Sequence, residues 1–114
     1  MPNYEPTVLN ALLRCTRTSR ENIPLFECVR EDLNLWVWEL GPSTDSALSA
    51  WILSVSRAFR ENMNSLASLS DTDDYTLHLS FSSYPESGML RLPPDFLGLA
   101  HQAGFAIEIH HQEL

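Results

Sequence analysis

The chain has 114 residues, 44% of them hydrophobic, and its 15 Asp and Glu against 7 basic residues leave a formal net charge of −8. That length suits one compact domain burying about two-thirds of its unfolded surface, and the apolar content is too high for a disordered chain. The basic residues are all arginine, four of them within the first 30 positions, so the remainder is strongly acidic, repels phosphate backbones and anionic membranes, and argues against nucleic-acid or membrane partners.

No apolar run approaches the roughly 18 residues of a membrane span, and Met1-Pro2-Asn3-Tyr4-Glu5-Pro6 lacks the basic-then-apolar layout of a signal peptide. The expectation is a soluble, cytoplasmic chain. Cys15 and Cys28 form no CxxC pair and have no neighbouring His, so reduced thiols are expected.

Residues 1–32 carry the weakest pattern. Val8, Leu9, Ala11, Leu12, Leu13 and Cys15 suit a short helix over 7–17, with a strand as the open alternative, and 25–29 reads as a short strand. Residues 33–40 are rich in β-favouring types and stop at Gly41-Pro42. One face of that strand carries Leu33, Leu35 and Val37, the other Asn34, Trp36 and Trp38. Ser43 or Thr44 offers an N-cap with Asp45 in the first turn. Leu48, Trp51, Ile52, Val55, Phe59 and Met63 then recur at steps of three and four, the stripe of an amphipathic helix that Leu66 and Leu69 extend.

Residues 75–82 alternate strictly, with Tyr75, Leu77, Leu79 and Phe81 on one side. Residues 84–88 read as a turn and 89–92 as a short returning strand, so the pair reads as a hairpin. Pro93-Pro94-Asp95 opens a second helix, lined inside by Phe96, Leu97, Leu99, Ala100 and Ala103 and stopped by Gly104. Residues 105–110 alternate again as the last strand. From residue 33 the order is strand, helix, strand, strand, helix, strand. This predicts an α+β single domain, a ferredoxin-like antiparallel or mixed sheet with two helices on one face. The first and last strands would be neighbours and 75–82 would form the other edge. Residues 1–32 would be an N-terminal addition on an edge or over the open face.

The helix at 44–63 and the strand at 75–82 are followed by Gly88-Met89-Leu90-Arg91-Leu92-Pro93-Pro94-Asp95-Phe96-Leu97 and His101-Gln102-Ala103-Gly104-Phe105-Ala106-Ile107-Glu108-Ile109. This order resembles the C-terminal half of a bacterial family of unknown function found among toxin immunity proteins. The likeness spans about residues 35–111 and consists of apolar and turn residues, without a catalytic signature. It implies a small cytoplasmic protein that binds and blocks a cognate protein toxin.

Few constellations carry chemistry. His110 and His111 point to opposite faces of a strand, and in the predicted sheet His78 lies three strand spacings, about 14 Å, from His110. That distance is too long for one zinc, so no metal site and no cofactor are expected. No Ser sits in a Gly-x-Ser-x-Gly turn, and the four isolated glycines form no phosphate loop. Asp71, Asp73 and Asp74 start like a calcium loop, but Thr76 and Ser82 stand where Gly and Glu are needed. No enzyme is expected; a concave pocket holding a His and a carboxylate in contact would raise that possibility.

Surface features favour binding instead. If both helices cover the Leu33–Leu35–Val37 face, Trp36 and Trp38 lie on the open face with Thr76, His78, Ser80, Glu108 and His110, as interface anchors do. Two alternatives stand beside this: the opening segment covers the tryptophans, or a one-residue slip exchanges the faces. Glu27, Glu31 and Asp32, with Asp71, Asp73 and Asp74, gather negative charge at one end of the sheet, suited to a basic partner or to a solvated rim. The leading expectation is an immunity or antitoxin-like protein that occludes a toxin's active site. The alternative is a small-ligand or regulatory sensor domain.

Overall fold

A computed structural model describes residues 5–41, 46–83 and 90–113. The elements in chain order are β1 (Thr7–Thr16), β2 (Glu27–Arg30), β3 (Leu35–Gly41), β4 (Ser46–Ala47), α1 (Leu48–Glu61), α2 (Met63–Ala67), β5 (Asp73–Ser83), α3 (Pro94–Ala103) and β6 (Ala106–Glu113). They form an α+β fold in which one mixed sheet, ordered β2-β3-β1-β5-β6 with β4 also on β1, packs its inner face against the helices. Among the described residues no helix is long and apolar enough to cross a membrane.

Within that class the strand order differs from the ferredoxin-like arrangement. The opening segment is only in part an edge addition: β2 is the edge strand, but β1 lies in the middle of the sheet, antiparallel to β3 on one side and β5 on the other. Its helical spacing gives way to period two, with Ala11, Leu13 and Cys15 wholly buried and Leu12, Arg14 and Thr16 half-buried between them. Pairing along both of its edges, to β3 and to β5, outweighs a weak local preference. Leu90, Arg91 and Leu92 form no returning strand; the predicted turn at 84–88 and Met89 lie outside the described residues. The chain instead crosses from β5 through α3 to β6, which runs parallel to β5, as a parallel pair requires.

The β1–β3 register pairs Leu13 with Trp38 and Cys15 with Trp36, and the β1–β5 register pairs Leu13 with Leu77. The inner face is therefore Trp36, Trp38, Leu13, Cys15, Leu77 and Leu79, one residue out of step with the predicted face of Leu33, Leu35 and Val37. Burying two indoles removes more apolar surface from water than burying two aliphatic side chains, which selects this register. Trp36 is 5% exposed, and Trp38 packs between Phe26 and Phe59, each 6.0 Å away between ring centroids.

The helices follow their stripes. Leu48, Trp51, Ile52, Val55 and Phe59 of α1 face the sheet. Phe59, fully buried, is the hub, with Phe96 of α3 at 6.1 Å and Phe105 at 5.3 Å. Leu66 and Leu69 continue the core through α2 and the turn beyond it. The first turn of α1 begins at Leu48, later than predicted, and Ser43, Thr44 and Asp45 lie outside the described residues. Its amides are met from a distance: Leu48 N–H donates to the Pro6 carbonyl at 2.8 Å and Ser49 N–H to the Glu5 carboxylate at 2.7 Å. Proline opens α3, and Gly104 closes it at φ +88°.

Candidate functional site

The reverse of the sheet has no described helix over it. Its side chains run in rows set by the registers: Glu27, Val37, Arg14, Thr76 and Ala106 in one, then Glu39, Leu12, His78 and Glu108, then Asn10, Ser80 and His110. The middle of this face, at Leu12, Arg14, His78 and Ser80, is half-buried by its neighbours, while Glu27, Glu39, Glu108 and His110 stand out into solvent.

Of the residues expected here, Thr76, His78, Ser80, Glu108 and His110 are on this face, whereas Trp36 and Trp38 belong to the core. Leu12, Arg14, Val37 and Glu39 were missed. Their signal was present as the alternation along β1 and β3, but it becomes readable only once β1 is a strand and the tryptophans are assigned inward.

His78, Glu108 and His110 converge. Glu108 is directly opposite His78 on the neighbouring parallel strand, and His110 is two residues on, hence on the same face. The expected 14 Å separation is overturned, because β6 lies beside β5 and not across the sheet. The two imidazoles stack with centroids 6.2 Å apart and planes 13° from parallel. Glu108 Oε1 is 3.0 Å from His110 Nε2, and Oε2 is 3.8 Å from His78 Nδ1. One potential ligand atom from each residue lies within 4.8 Å of the other two. Burial pushes the His78 imidazole below its ordinary value, with the Arg14 guanidinium adding to the effect and the Glu108 carboxylate opposing it. His78 Nε2 and Arg14 Nε are buried without a hydrogen-bond partner among the described residues.

His111 points to the opposite face, stacked on Phe81 at 4.8 Å and within 2.7 Å of the Ser83 hydroxyl.

The two acidic clusters meet at one end of the sheet, because Thr16 pairs with Leu35 of β3 and with Asp73 of β5. A cleft of about 650 Å³ opens there between Arg17, Leu33, Asp71, Asp73 and Asp74. The charge is mixed, not purely acidic. Arg30 grips Asp32 through two contacts of 2.8 and 3.0 Å and holds its carboxyl below the usual range. Arg20 donates to the Glu31 carbonyl at 3.2 Å, and the Arg17 guanidinium lies 4.9 Å from the Trp36 ring centroid.

No family model, curated protein or solved structure matches this chain.

Proposed function

We propose that this chain is an immunity-type inhibitor, a cytoplasmic binding protein without catalysis of its own that engages one protein effector through the reverse face of its sheet. The observation that carries this reading is the five-strand face itself, which the described residues leave open. It presents a half-buried centre in which Leu12 and Val37 stand beside Arg14 and His78, inside a rim of Glu27, Glu39 and Glu108. A half-buried centre that mixes aliphatic side chains with an arginine, inside a charged rim, is compatible with the anatomy of a protein interface, where arginine is enriched. The acidic rim and the net charge of −8 suit a basic effector, whose encounter they would accelerate. The partial resemblance to toxin immunity proteins points the same way. With Trp36 and Trp38 serving the core, the anchors would be Leu12 and Val37 at the centre.

Co-purification with the product of the adjacent gene, and rescue of cells expressing it, tests the reading. Glu39→Arg, on the rim, should weaken capture at least about tenfold. Leu53→Arg, at a helix position 74% exposed on the other side of the molecule, should leave it unchanged. Failure to capture or neutralise that product would overturn the proposal, as would equal loss from both substitutions.

A further inference from the structure

We propose that His78, Glu108 and His110 form a binding site for one first-row divalent metal ion of the zinc class on the open face of the sheet. Two imidazoles and one carboxylate are the donor set that borderline cations prefer, and three protein ligands leave one tetrahedral position for water or an incoming group.

The scaffold is fixed by the backbone. His78 and Glu108 are a directly paired couple on hydrogen-bonded strands, and His110 follows at a spacing of two. All three side chains must therefore leave the sheet on one side, next to one another. With metal–ligand bonds of about 2.1 Å, tetrahedral donors sit about 3.4 Å apart. Glu108 reaches both rings through its two oxygens, Oε1 3.0 Å from His110 Nε2 and Oε2 3.8 Å from His78 Nδ1. The widest separation, within 4.8 Å, has about 1.4 Å to close. Glu108 and His110, with side chains 54% and 55% exposed, have the rotamer freedom to close it.

The His78 ring supplies a second, independent reason. Its Nε2 is buried without a partner, and its Nδ1 is 3.8 Å from the carboxylate, beyond hydrogen-bonding distance. With Nε2 closed off from solvent, Nδ1 is the nitrogen left to take a ligand, and it is the one that faces Glu108. The Arg14 guanidinium on the neighbouring strand opposes a cation, and the single Glu108 carboxylate offsets it. The expected affinity is consequently micromolar rather than nanomolar.

The test uses the whole chain, stripped with chelator and titrated with zinc chloride alone and with cobalt chloride. One ion per chain should bind, the melting temperature should rise with free metal by linkage, and cobalt should show visible absorption of low coordination number. The ring resonances of His78 and His110 should shift, and those of His101 should not. Glu108→Gln and His110→Ala, both at exposed positions, should each lower affinity by about tenfold or more while keeping the metal-free melting temperature. His111→Ala should bind as the parent does. No saturable binding at millimolar zinc would overturn the proposal, as would binding that survives the combined Glu108→Gln and His110→Ala substitutions.

Discussion

The indole N–H of Trp36 donates to the side-chain oxygen of Asn34 at 2.8 Å, two residues back along the chain. The Asn34 side-chain nitrogen in turn donates to the carbonyls of Arg17 and Ser19, and the Asn34 main-chain carbonyl accepts from Arg17 N–H at 3.0 Å. Asn34 also adopts φ +51°, a conformation that asparagine tolerates better than most residues. One buried side chain thus ties the end of β1 to the start of β3 and satisfies the polar tip of a core tryptophan. Asn34→Ala should lose about 2–3 kcal/mol in chemical denaturation, from orphaned buried groups and backbone strain together. Asn34→Gly should be the milder of the two, since it removes the strain but not the lost bonds. Parent-like unfolding of the alanine variant would show that this junction holds nothing.

The tryptophans are expected to behave as core. Trp36→Ala and Phe59→Ala should each destabilise by about 3–5 kcal/mol, a large fraction of what a domain of this size has available. Thermal unfolding followed by circular dichroism would read this directly. A retained transition in Trp36→Ala, with loss of partner capture, would instead return that side chain to the interface.

What was legible in the sequence, and what was not, follows from where the competing signals lay. The stripe from Leu48 to Phe59, the alternation from Tyr75 to Phe81 and the stop at Gly104 are local patterns with one physical reading each, and the α+β class follows from them. The alternation along β3 has two readings related by a one-residue slip, and only the partner strand decides between them. For β1, Leu9 and Leu12 complete a helical pattern that the two neighbouring strands override. The convergence of His78, Glu108 and His110 was hidden for the same reason. It depends on β6 lying beside β5, a pairing set by the α3 crossover and not by any motif.

Gly104 combines two demands at one position. Its φ of +88° is left-handed, and a Cβ built there would stand 2.8 Å from Ser70 Cβ and 3.3 Å from Ser70 Cα. Gly104→Ala should therefore exceed the roughly 1 kcal/mol typical of a helix-stop glycine. Pairing it with Ser70→Gly, which removes the closer of the two atoms, should restore part of the loss and leave the φ penalty. Denaturant midpoints of the two single variants and the double variant would separate the terms, and strictly additive losses would exclude the steric one.

The acid side of the stability profile should carry a contribution from Glu5. Its carboxylate accepts from Ser49 N–H at the start of α1, and hydrogen bonding to Ser49 holds its pKa below the reference value of 4.5. A depressed folded-state pKa contributes stability that is fully present above the unfolded value and is lost as pH falls through the folded one. Glu5→Gln keeps the shape and removes the charge, so at neutral pH the parent should be more stable by about 0.5–1 kcal/mol, the usual range for an anion at a helix start. That difference should narrow as pH drops below 4.5 and vanish once the parent carboxyl is protonated. Paired melting curves across the acid range would measure it, and a difference constant with pH would show that the charge on Glu5 does not cap the helix.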